Sequence, residues 1–172
     1  MSVTDEFIIA NRQFVRRRTS RQLPLPPSRK VAIVTCMDAR IDPAGALGLG
    51  EGEAHVIRNA GGRASEALRS LVISQRLLGT REILVIHHTD CGMLTFSNDQ
   101  LHSQVKRELG ADSDAIDFLP FSDLDGSVAE DVRLLAASPL LEPGTPVRGF
   151  VYDVASGALR EVSVAQEVAA TR

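Results

Sequence analysis

The run VTCMDARIDP, residues 34 to 43, sets a thiol, a carboxylate and a guanidinium at alternate positions: Cys36, Asp38 and Arg40. Side chains at alternate positions of a strand share one face. A face turned to an apolar core has no use for such a triplet, so the run reads as chemistry at a strand end. A second loaded run, HHTDCG, holds His87, His88 and Cys91. Two thiols with an imidazole suit zinc, which takes sulfur and nitrogen ligands. A catalytic zinc keeps three protein ligands and an open fourth position. Cys36, one histidine of the pair and Cys91 would form such a Cys2His set. His88 and Cys91 have H-x-x-C spacing, which turns both side chains to one side of a turn. His87 stands four residues from Cys91, so spacing alone leaves it in play. His55 and His102 have no such neighbours in sequence and read as ordinary residues. The stretch NAGG, Asn59 to Gly62, precedes a helix start. There the backbone around Gly61 and Gly62 could offer N–H groups to an anion.

These residues need a frame to bring them together. KVAIVT and EILVIHH are short, β-branched runs of the kind buried on both faces of a parallel sheet, and AHVIRNA is a third strand. Residues 65 to 78 form a helix that Ser65 can cap and Gly79 can end, with Leu68, Leu71, Val72 and Leu78 on one stripe. Further helices are predicted from Ser97 or Asn98 through Leu109, and over 123–137 before Pro139. VRGFVYDV and LREVSV read as a terminal hairpin. Strands alternating with helices give an α/β fold with a mostly parallel central sheet and flanking helices. In such sheets ligands sit beyond the carboxyl ends of the strands. Cys36, NAGG and HHTDC each follow a strand and so converge on one edge.

Residues 3 to 18 read as an amphipathic helix with Phe7, Ala10, Phe14 and Val15 near helical spacing. Pro24, Pro26 and Pro27 then force an extended linker. The expected organisation is an N-terminal helical arm and linker over 1–28, followed by a single zinc-binding catalytic domain over 29–172. An arm that cannot bury its apolar stripe at home is suited to a neighbouring subunit.

The 172 residues suit one domain, and 44% hydrophobic content is ordinary for a globular chain. A net charge of -3 gives no bulk reason to expect nucleic acid. Two cysteines do not make a secreted disulfide scaffold. The apolar run near the start is too short for a signal peptide, and none approaches the ~20 residues of a membrane span. The chain is expected to be cytoplasmic, with no membrane partner. GLGEGE does not match G-x-G-x-x-G, which excludes a dinucleotide loop.

CMDAR, VIRNAGG and HHTDCG together resemble the β-class carbonic anhydrases, which carry C-x-D-x-R after the first strand and H-x-x-C after the third. The likeness is close over residues 31 to 93 and looser through the terminal hairpin. The resemblance implies zinc held by Cys36, His88 and Cys91, and so selects His88 over His87. It implies Asp38 and Arg40 as the catalytic pair, with Asp38 able in some relatives to close the site as a fourth ligand. Zn²⁺ with two thiolates is formally neutral, so it should acidify a bound water less than a tris-histidine site does. Asp38 would accept a hydrogen bond from that water, and Arg40 would keep the carboxylate ionised and oriented. The implied reaction is reversible hydration of CO2 to bicarbonate by zinc-bound hydroxide, in a homodimer or higher homo-oligomer. The alternatives are hydrolysis of carbon disulfide or carbonyl sulfide on the same scaffold, and a catalytically silent zinc-binding module.

Overall fold

The computed structural model describes residues 2–19 and 22–164. The expected catalytic unit therefore extends past the last described residue, Val164. Five strands form one sheet in the order β2-β1-β3-β4-β5: β1 Val31–Cys36, β2 Ala54–Asn59, β3 Glu82–His88, β4 Val147–Tyr152 and β5 Leu159–Val162. The first four run parallel, and β5 returns antiparallel beside β4 as the predicted hairpin. The register sets Cys36 beside Asn59 at the carboxyl ends of β1 and β2. His88 lies beside Tyr152 at the end of β3.

The helices are α1 Val3–Arg17, α2 Pro43–Leu47, α3 Ala64–Leu78, α4 Asn98–Leu109 and α5 Leu124–Ala136. Short 3₁₀ turns cover Ala60–Gly62 and Gly92–Leu94. α3 and α5 cover one sheet face. There Leu71 and Leu135 pack on Ala32, Val34, Ile83, Val85 and Val151 in the largest apolar cluster. Ile33, Ile86 and Phe150 form the core of the opposite face, with Leu47 of α2 at its margin. Alternation along β3 therefore sends Val85 and His87 one way, and Ile86 and His88 the other.

Two local expectations change. Ser65 does not cap α3: the cap position is Arg63, and Ser65 is exposed inside the first turn. The buried stripe of α3 is Ala64, Ala67, Leu71 and Ser74, with Leu68 and Val72 at its border. Small residues face the sheet because α3 crosses close to it. α4 starts as expected, with a capping box in which Ser97 accepts from Gln100 N and Gln100 reaches back to Ser97 N.

α1 stands apart from all of this. It has a capping box of Ser2 and Asp5, and basic Arg16 and Arg17 in its last turn, yet it buries no residue. Phe7 is 68% exposed and Phe14 is 54% exposed.

Candidate metal centre

Cys36 ends β1, His88 ends β3, and Cys91 follows one short turn later. Their ligand atoms all lie within 4.8 Å of one another, and all three residues are buried. His88 Nδ1 lies 2.9 Å from the Thr89 carbonyl. A carbonyl only accepts, so the proton sits on Nδ1 and Nε2 presents a lone pair. Nε2 is buried without a hydrogen-bond partner. A buried acceptor costs free energy unless something binds it. An oriented imidazole nitrogen between two thiols is the donor set expected for zinc, so these residues fit the ion.

The backbone supports the sulfurs. The backbone of Asp38 and Gly61 lies against Cys36, and that of Met93 against Cys91, in the sense that favours a thiolate. The neighbouring Cys91 thiol holds the Cys36 thiol well below its usual range even though burial opposes this. The proximity of Cys36, with burial added, pushes Cys91 up. For His88, burial favours the neutral ring, but the adjacent Cys36 sulfur and its charge outweigh it and raise its pKa. Ile41, Met93, Ala60, Phe96, Phe121 and Tyr152 form an apolar surround.

Asp38 and Arg40 meet at the mouth. Arg40 Nε donates to Asp38 Oδ1 at 3.0 Å and Nη2 to Oδ2 at 2.7 Å, a bidentate fork, while Arg40 N donates to Oδ1 as well. Those Arg40 bonds hold the Asp38 carboxyl far below the ordinary carboxylate range. Asp38 Oδ2 is nevertheless 3.9 Å from His88 Nε2, so the carboxylate borders the ligand cluster. Asp90 supplies a second acid to Arg40 at 2.5 Å, and its carbonyl accepts from Nη2. Sequence reading passed over Asp90, and its position inside HHTDC was the available signal.

His87 does not reach the cluster. It is fully buried on the other sheet face, with Nδ1 2.8 Å from Ser127 Oγ and Nε2 3.1 Å from Asp131 Oδ2. Its ring stacks on Phe121. His55 and His102 lie away too, against Ser74 and Ser113. Gly61 and Gly62 both take left-handed backbone, with φ of 75° and 72°. A Cβ on Gly62 would come within 2.9 Å of the Cys36 nitrogen, so this glycine lets the turn close on β1. The turn that holds Gly61 and Gly62 thus packs against the end of β1 that carries Cys36.

Comparison with known proteins gives a consistent picture. A family model described as carbonic anhydrase matches residues 31–117. The chain is 46% identical over 166 residues to beta-carbonic anhydrase 1 of Mycobacterium tuberculosis, covering 95% of this chain and 99% of the relative. It superimposes on the crystal structure of a carbonic anhydrase from Streptococcus mutans with a TM-score of 0.91 at 51% identity, over 95% of this chain and 99% of that one. A carbon disulfide hydrolase of Saccharolobus solfataricus is 35% identical over 161 residues, covering 80% of this chain and 79% of the relative.

Proposed function

The chain belongs to the β-carbonic anhydrase family, and we propose that it catalyses the reversible hydration of CO2 to bicarbonate and a proton at a zinc centre held by Cys36, His88 and Cys91. The observation that carries this reading is the buried Cys-His-Cys cluster with an Arg-clamped carboxylate at its border. Zinc bound there would act as a Lewis acid and make hydroxide available from water far below the pKa of bulk water. Cys36, His88 and Cys91 would hold the ion and leave a position for water or substrate. Asp38, ionised at any working pH, would accept a hydrogen bond from a water held there and orient it toward the substrate carbon. Arg40 holds Asp38 by both oxygens and so fixes the direction of that bond. The apolar surround of Ile41, Met93, Phe96 and Phe121 suits a small, uncharged linear molecule. The same Asp38, released from Arg40, would be the fourth ligand of a closed form.

The reading extends to the whole chain. Residues 1–28 act as an arm and linker, and 29–172 as the catalytic domain. The working form is a homodimer or higher homo-oligomer, and the place of work is the cytoplasm. Among the described residues no helix is long and apolar enough to cross a membrane.

Stopped-flow CO2 hydration on zinc-quantified protein, scanned from neutral to alkaline pH, tests the proposal. Activity in proportion to zinc content supports it. Full zinc with no hydration at any pH overturns it. A second reading, hydrolysis of carbon disulfide or carbonyl sulfide, draws on the carbon disulfide hydrolases among the relatives. Sulfide release faster than CO2 hydration would favour it.

A further inference from the structure

His87 and the residues around it have no part in the chemistry above, yet they make the most buried polar network among the described residues. His87 and Asp131 are both 0% exposed. Asp131, on α5, uses one oxygen twice. Oδ2 accepts from the backbone N–H of Ala64, the first residue of α3, at 3.0 Å, and lies 3.1 Å from His87 Nε2. Oδ1 lies 3.2 Å from Arg63 Nη2, close enough for attraction but without an aligned hydrogen bond. Arg63 is itself buried, stands over the Phe121 ring, and reaches Glu130 at 2.9 Å. On the far side of the His87 ring, Ser127 contacts Nδ1 and donates its own proton to the Leu124 carbonyl.

Each contact leads to the candidate metal centre. His87 directly precedes His88 at the end of β3, so fixing the His87 ring from behind fixes the strand end that carries His88. Ala64 and Arg63 directly follow the Ala60–Gly62 turn, whose Gly62 packs on the Cys36 backbone. Asn59 ties the same turn shut through its side chain, at 2.7 Å to Arg63 N and 2.9 Å to Arg63 O. Two ligands that come from different strands are thus referred to a single carboxylate on a third element.

We propose that Asp131 is a positioning residue for the metal centre: through His87 it holds the end of β3 that bears His88, and through Ala64 and Arg63 it holds the turn that packs against Cys36. This rests on reading Cys36, His88 and Cys91 as the zinc ligands. Groups that orient metal ligands from outside typically change metal affinity about 10–100-fold when replaced. Asp131→Asn has nearly the volume of the parent side chain but loses the charge facing Arg63 and half of its acceptor capacity. His87→Gln and Ser127→Ala cut only the limb that leads to His88.

The test is the rate at which zinc passes from the full-length protein to a chromogenic chelator. The comparison includes Leu135→Ala, which cuts a cavity in the core from the same helix and removes no polar group of the network. Asp131→Asn should release zinc about 10–100-fold faster than the parent, and His87→Gln and Ser127→Ala should move in the same direction by less. Leu135→Ala should lower the melting temperature and leave the release rate at the parent's value. Should Asp131→Asn fail to fold, faster release from His87→Gln or Ser127→Ala upholds the inference, and parent-like release from both overturns it. Leu135→Ala releasing zinc as fast as Asp131→Asn at equal thermal loss also overturns it, since the role is then general stability. A parent chain that takes up no zinc overturns the reading of the site itself, and this inference falls with it.

Discussion

At the scale of single residues the site is a contest for one carboxylate. Asp38 can serve the bound water only while Arg40 holds it. Arg40→Gln should therefore bring the Asp38 carboxyl up toward the ordinary value of about 4, followed by carboxyl NMR titration. The sign for stability follows. A carboxyl whose folded pKa lies below its unfolded one stabilises the fold above about pH 3.9, and that contribution fades as pH falls through the folded value. The Asp38–Arg40 pair thus supports the protein from neutrality down to about pH 4 and less below it. The effect is small, because Arg40 is 46% exposed. The histidine pair sets a second residue-scale test. His88→Ala should leave less than one zinc per chain by elemental analysis, whereas His87→Ala should keep the metal when zinc is in excess. The reverse result would displace His88 from the ligand set. Spacing to Cys91 left both histidines open because a turn can present either. Strand alternation separates them, since β3 continues through both residues and faces them apart.

At the scale of elements, the strands and longer helices were legible because their signals are local and redundant. A six- or seven-residue β-branched run has few other uses, and Ser97 with Gln100 marks a helix start within four residues. The missed features depend on distant partners. No residue near Ser65 reveals that the first N–H of α3 is satisfied by Asp131, 67 positions away. α2 is only five residues with Gly45 at its centre, too short and too weak in propensity for any pattern to register. The Ala60–Gly62 turn shows what such elements contribute to the site. Gly62→Ala would force a left-handed alanine and drive its Cβ to 2.9 Å from the β1 backbone, which cannot move aside. The expected loss is about 3 kcal/mol by urea denaturation, with a displaced Cys36 and impaired zinc retention. Gly48→Ala has comparable φ, 63°, but open space around it. It should cost only about 1–2 kcal/mol and leave the metal in place. Equal losses in the two variants would mean that strain alone, not the close approach to β1, makes Gly62 necessary.

At the scale of the whole molecule, the catalytic frame has a buried core of its own and α1 contributes nothing to it. Ahead of the sheet, the chain spends a capped helix on a face carrying Phe7, Ile8, Phe14 and Val15, none of them buried. An apolar stripe in water brings no stability to a lone chain, and patches of this kind mark surfaces that another molecule covers. A second copy is the occupant that the proposed oligomer supplies, and two-fold symmetry would bury the stripe twice. Each phenylalanine so buried contributes about 1.5–3 kcal/mol, so Phe7 and Phe14 together, counted in both chains, are worth roughly 6–12 kcal/mol before the costs of association. Replacing both with serine should therefore weaken self-association by several orders of magnitude while leaving the sheet and its zinc in place. Sedimentation equilibrium reads this directly. The parent chain should sediment as a dimer or larger at micromolar concentration, and the Phe7→Ser, Phe14→Ser variant should shift toward the monomer with its zinc content unchanged. A parent chain that stays monomeric removes the arm from the assembly. A variant that stays dimeric assigns the interface to another surface, and the exposed Val56 on the open edge strand β2, with Ile73 and Leu77 on the neighbouring α3, would then be the next faces to alter.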